Sequence, residues 1–186
     1  PLLYPHGRAR EPRHLAILPM LACTLLTAYA ACAEADNLMQ LKLLPAGAPT
    51  DVGACLDGSR YGMYQLLNAS SLDWIIYFDG GGACESRSGC AKRATQGGRL
   101  GSSKNWTSTT KANGLQDKNC TVNPFCSWNM IRLPYSDRSI WTGTQTKMTE
   151  EGYMACGHLN AAAAITTLLA TTPPPQAARV IVSGGP

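Results

Sequence analysis

Trp74 to Phe78 (WIIYF) is an unbroken run of β-forming apolar residues, and after Asp79 come three consecutive glycines, Gly80 to Gly82. A run of that length and type reads as a strand buried on both faces of a sheet. Three glycines at its end weaken local structure, because glycine loses the most backbone entropy on folding. What they permit is close approach. A backbone without Cβ can aim its N–H groups at a developing oxyanion. The plain alternative is a flexible turn, so the neighbouring sequence has to decide.

Three further segments read as strands: Tyr61–Leu67 after the turn signal Asp57-Gly58, Met130–Tyr135, and Arg179–Val182. A helix is signalled from Thr149, read as N-cap, with Glu150 and Glu151 in the first turn and an alanine-rich body ending at Thr171–Pro175. Strand, helix and strand of the buried type form a βαβ unit, so the class is α/β. Between the second and third strands, Glu85 to Asn129 reads as a long polar loop that needs function or tethering to persist.

The N-terminus carries Arg8, Arg10 and Arg13, then the uncharged stretch Leu15–Ala33, then small-residue sites at Ala28/Ala30, Ala31/Ala33 and Ala33/Ala35. That order predicts a secretory leader over residues 1–35, cleaved between Ala30 and Ala35; an uncleaved membrane anchor is the rival. Residues 36–54 read as a lead-in and 55–186 as the domain. The chain opens on Pro1 with its first methionine at Met20, so the start of translation is expected upstream. Export to the extracellular space or cell wall follows as an expectation, with no stable membrane partner once the leader is gone.

Cysteine usage agrees. Of eight cysteines, Cys23 and Cys32 fall in the leader, and Cys55, Cys84, Cys90, Cys120, Cys126 and Cys156 remain, an even set that implies disulfides. The close pairs are spaced too widely for zinc knuckles, and His158 is the one histidine after the leader, so no metal and no cofactor is expected. Asn68, Asn105 and Asn119 open glycosylation sequons. The formal charge is +4 with scattered Lys and Arg, which offers no footprint for nucleic acid.

The terminal stretch RVIVSGGP is a strand running into a small-residue turn, the way an α/β-hydrolase presents the serine of G-x-S-x-G. Counting from Gly184 puts the nucleophile at position 186, which is Pro186. Ser183 sits three positions early and lacks the following glycine. His158 precedes the elbow, against the chain order Ser, Asp, His of these enzymes, and reads as a helix-surface or packing residue.

Taken in order, CLDGS, WIIYFDGGGAC, LGSSKNW, NPFCSWNMIRLPYSD, WTGT and VIVSGG resemble the pectin acetylesterase / Notum family of secreted serine carboxylesterases, over Cys55 to Gly185. The resemblance implies an α/β-hydrolase fold, no metal, and a Ser-Asp-His triad that deacylates an O-ester. The usual ester is acetyl on pectin; in the animal branch it is a lipid on a signalling protein. It implies that Gly81 and Gly82 form the oxyanion loop, that Asp79 holds the acidic position before them, and that Cys84 and Cys90 close a short disulfide loop. Cys120 and Cys126, the other close pair, are expected to bridge as well. Ala83 departs from the bulky aromatic of plant-type members. Ser136 departs from a cysteine, which leaves Cys55 without its usual partner and makes Cys156 a replacement. The triad itself is expected beyond Gly185. The function expected of the whole protein is deacetylation of a polysaccharide such as pectin. The alternatives are a lipid or protein deacylase of the Notum type, or a non-catalytic glycan- or lipid-binding relative. Residues 1–186 alone are expected to be inactive.

Overall fold

The computed structural model describes residues 37–45, 53–96, 98–171 and 178–185. The leader, its cleavage sites and Pro186 lie outside these residues. The elements are β1 (Leu38–Leu43), β2 (Gly62–Leu66), β3 (Asp73–Phe78), α1 (Arg87–Gln96), β4 (Thr109–Lys111), a 3-10 turn at Gly114–Gln116, β5 (Asn129–Leu133), α2 (Gly157–Thr171) and β6 (Arg179–Gly184). They form one mixed sheet in the order β4-β1-β2-β5-β3-β6. From β4 through β1 and β2 to β5 the pairing is antiparallel, whereas β5, β3 and β6 run parallel, with Phe78 opposite both Leu133 and Gly184. This α/β sheet is compatible with an α/β-hydrolase-like fold.

Burial follows from the residues. Trp74 and Ile75 on β3 and Met130, Ile131 and Leu133 on β5 are buried, whereas Ile76 to Phe78 are only partly so and β6, expected as a buried-type strand, is an exposed edge paired on one side alone. On one face α2 presents Asn160, Ala164 and Leu168, spaced by four, and its Ala164 and Leu168 pack with Tyr61, Met63, Trp74, Ile131 and Leu133. On the other face Met39, Tyr64, Ala112 and Met130 close a smaller cluster.

Three expectations change. The Glu85–Asn129 stretch is not all loop: it holds α1, β4 and the 3-10 turn. Helix α1 buries only Cys90 and Ala94, so its sequence shows no apolar stripe, and the Cys84–Cys90 disulfide tethers its first turns. The lead-in contains strand β1, which zips onto β2 from Gln40↔Gln65 to Leu43↔Gly62. The helix expected from Thr149 begins only at Gly157. Thr149 instead closes a turn, its hydroxyl accepting the Tyr153 N–H at 3.3 Å while Gly152 sits at φ +82°. Met154 then donates to Leu56 O at 2.8 Å and Ala155 to the Gln145 side chain at 2.7 Å, so tertiary bonds keep 153–155 out of the helix against the local cap signal.

Both close cysteine pairs bridge, Cys84–Cys90 and Cys120–Cys126, with Cα separations of 5.3 and 5.0 Å. Cys55 and Cys156 do not pair; both are buried thiols. Cys156 donates to Ala54 O at 2.9 Å and accepts the Ala54 N–H at 3.2 Å, so its sulfur is already partnered. Burial pushes Cys55 up to about 11 and Cys156 up to about 12, which keeps both protonated at neutral pH. Of the sequon asparagines, Asn105 and Asn119 are exposed, while the Asn68 side chain donates to Ser127 O at 2.6 Å. No helix among the described residues is long and apolar enough to cross a membrane.

Candidate active site

The chain leaves β3 for β5 on one side and, after α2, returns to β6 on the other. Connections that part in this way open a crevice at the carboxyl ends of the parallel strands, where α/β sheets bind ligands. The glycine loop sits at that crevice. It is anchored by Asp79, whose N–H donates to Leu133 O at 2.9 Å, whose carboxylate accepts Arg132 Nε at 2.7 Å, and whose carbonyl accepts Trp141 Nε1 at 3.1 Å. The residues after it are fixed differently. Gly81 lies against the Tyr135 ring so closely that a Cβ there would overlap it. Gly82 is open, its nearest neighbour to such a Cβ being Arg138 Nη1 at 4.0 Å. Among the described residues, the amides of Gly80, Gly81, Gly82 and Ala83 donate no hydrogen bond. These partly exposed N–H groups are open to water or to a ligand.

Beside the loop is a cavity of about 430 Å³. Tyr64, Arg132 and Tyr77 stand in one cross-strand row that lines it, and the row continues to Ser183, which does not. Asp79, Gly80, Arg99, Trp106, Tyr135 and Gly185 complete much of the wall. Gly81 and Gly82, the residues expected to form the oxyanion loop, stand next to this wall, and Gly80 supplies the loop's share of it. Gly185 closes the far side: it bonds to Phe78 O at 3.0 Å, and a side chain there would meet the Tyr77 hydroxyl at 2.6 Å. Arg99 makes no side-chain hydrogen bond or close ion pair among the described residues, although its charge acts on the Asp79 carboxylate across the cavity wall. Arg132, by contrast, is held by Asp79.

His158 is the second residue of α2, exposed, with its N–H on Gly143 O at 3.0 Å, and it does not line the cavity. It lies at the helix start, not in mid-helix as the earlier helix boundary implied. Ser183 lies within β6, before any turn. No group of three or more metal-binding side chains occurs among the described residues. Sequence reasoning missed Arg99, Tyr135, Arg138 and Trp141. Arg99, Arg138 and Trp141 come from loops whose polar composition carries no periodic signal, Tyr135 was read only as the end of a strand, and only the fold brings them to the glycines.

Burial pushes the Asp79 carboxyl above its ordinary range, against the opposing pull of Arg132 and then Arg99. A carboxyl raised on folding makes the native state hold its proton more tightly than the unfolded chain does. Its contribution to stability is therefore greatest below about pH 4 and declines as the pH rises from there through the folded value. Asp79→Asn is expected to remove that part of the slope. Urea midpoints measured at intervals between about pH 4 and pH 6 check it; a wild-type slope identical to that of the variant would refute the assignment.

A family profile described as Pectinacetylesterase matches residues 32–186. The chain is 35% identical over 105 residues to the palmitoleoyl-protein carboxylesterase notum2 of Xenopus laevis, covering 55% of this chain and 21% of that protein. It is 32% identical over 125 residues to notum1 of the same species, covering 67% of this chain and 25% of that protein. It is also 29% identical over 126 residues to the inactive palmitoleoyl-protein carboxylesterase notum1b of Danio rerio, covering 67% of this chain and 86% of that protein. The matched region thus spans about a fifth to a quarter of the first two relatives. The chain belongs to the pectinacetylesterase family of carboxylic-ester hydrolases.

Proposed function

We propose that the gene product carrying this chain is a secreted O-deacetylase of an acidic polysaccharide such as pectin. The observation that carries this reading is the juxtaposition of glycine-loop amides that donate no hydrogen bond among the described residues with a cavity of aromatic rings and the Arg99 guanidinium, which makes no hydrogen bond there. Sugar rings stack on aromatic faces and an acidic unit pairs with a guanidinium. A long fatty chain would gain less from a wall that carries Asp79, Arg99 and Arg132. In this reading a serine following β6 attacks the acetyl carbonyl and gives its proton to a histidine. The oxyanion rests on the amides of Gly81 and Gly82, and the sugar alcohol leaves with that proton. Water then releases acetate. Loss of one oxyanion donor in such a site costs about 100- to 1,000-fold in turnover.

A non-catalytic binding module is the second reading, favoured by Pro186 in the elbow register. The test is acetate release from acetylated pectin by the purified gene product. Release is expected, and Arg99→Gln should lower kcat/KM on pectin by roughly 10-fold while leaving p-nitrophenyl acetate unaffected, because a charge-assisted hydrogen bond is worth about 1.5–3 kcal/mol. Folded protein that binds pectin without releasing acetate would give the case to the binding module. Hydrolysis confined to palmitoleoyl esters would give it to the Notum type. Residues 1–186 alone, with proline at 186 and no histidine after it, are expected to show no hydrolysis.

A further inference from the structure

We propose that Arg138 is a positioning residue that holds the glycine loop in its anion-accepting form, with Arg93 as its partner. Arg138 grips the loop twice. Its Nη1 donates to Gly82 O at 2.9 Å, and its own carbonyl accepts the Cys84 N–H at 3.3 Å. Arg93, reaching from α1, donates to the next carbonyl, Ala83 O, at 2.7 Å. At the other end Trp141 holds Asp79 O. In a trans peptide the C=O and the following N–H point in opposite directions. Fixing Asp79 O and Gly82 O therefore turns the N–H groups of Gly80 and Ala83 away from Trp141 and Arg138, and the amides of Gly81 and Gly82 lie between these clamps.

The clamp has an unusual backbone. Arg138, Ile140 and Trp141 all take left-handed φ values, +61°, +53° and +60°. Three non-glycine residues in that region within four positions is an arrangement that persists only where surrounding contacts over-determine it. Those contacts are present: the Ile140 N–H donates to the Tyr135 hydroxyl at 2.7 Å, and Trp141 packs on Phe78 with ring centroids 4.9 Å apart. Arg93 and Arg138 are also close enough to repel one another, and neither is ion-paired among the described residues. Two cations held on adjacent carbonyls without an anion favour negative charge arriving at the amides behind them.

The inference rests on the proposed oxyanion role of the glycine loop, and its test does not require turnover. The gene product, labelled with ¹⁵N at glycine and alanine, is titrated with sodium acetate and followed by amide chemical shifts. In the wild type, the Gly80–Ala83 amides are expected to shift and saturate. In Arg138→Gln the saturating shift should be lost or its midpoint raised at least 5-fold, Arg138→Lys should restore part of it, and urea midpoints should confirm that the variants are folded. Arg93→Gln, at a helix-surface position, gives the same readout if Arg138→Gln does not fold. Loop amides that saturate equally in wild type, Arg138→Gln and Arg93→Gln would overturn the proposal, as would wild-type amides that never saturate. Absence of ester hydrolysis alongside an Arg138-dependent titration would count against the esterase reading alone.

Discussion

Leu133→Ala is expected to destabilise the fold by about 2–5 kcal/mol, the range for emptying a buried leucine site whose surroundings relax only in part. Leu133 has no exposed surface, and it packs with Tyr61, Met63, Trp74, Ile131, Ala164 and Leu168. It closes β5 in register with Phe78, so its neighbours come from both parallel strands and from α2. A cavity there cannot collapse by moving one side chain, because strand pairing fixes the backbone on either side. Its carbonyl also accepts the Asp79 N–H, so relaxation of β5 would be felt at the first residue of the glycine loop. Val182→Ala provides the contrast: that side chain is 65% exposed on β6, and its truncation should stay within about 0.5 kcal/mol. Urea denaturation with unchanged m-values checks both. Equal losses at the two positions would mean that the core is not where the packing places it.

What made β3, β5 and β6 legible is the reason Leu133 matters. Consecutive β-forming apolar residues stand out in any window, whether the strand is central, as β3 and β5 are, or an exposed edge, as β6 is. Strand β1 does not share that property. Gln40 and Lys42 interrupt it, Leu43 is exposed, and its identity depends on pairing with β2. Helix α1 is held by a disulfide and two buried side chains, too little for a periodic signal. The Thr149 cap signal was real chemistry in the wrong element: the threonine does accept a backbone N–H, but in a turn ended by Gly152. At the site the asymmetry is the same. The glycine loop declares itself locally, whereas Arg138 and Trp141 reach it across 56 and 62 residues and Arg99 joins it only through the cavity wall.

Adjacent glycines in that loop should respond to the same substitution in opposite ways. Gly81→Ala places a Cβ 2.8 Å from Tyr135 Cε1 and closer still to Cδ1. The ring has nowhere to go: Tyr135 is 2% exposed, its hydroxyl accepts the Ile140 N–H at 2.7 Å, and Trp141 lies against it at 5.7 Å between centroids. Overpacking of this kind costs about 1–3 kcal/mol, and the immobile ring puts Gly81→Ala near 3. The loop must shift to accommodate the methyl group, so an anion held by these amides should be lost with the stability. Gly82→Ala meets only Arg138 Nη1 at 4.0 Å, and its backbone does not lie in the left-handed region. It should fold within about 0.5 kcal/mol of the wild type, since replacing glycine where the conformation is allowed also restricts the unfolded chain. If the gene product hydrolyses esters, Gly81→Ala should lower kcat by roughly 100-fold or more, the effect of a displaced oxyanion donor, while Gly82→Ala keeps its amide in place and most of its activity. Thermal and urea unfolding separate the two variants without any assay of turnover. A Gly81→Ala protein as stable as Gly82→Ala would show that Tyr135 does not fix the loop, and the site geometry built on that contact would fall with it.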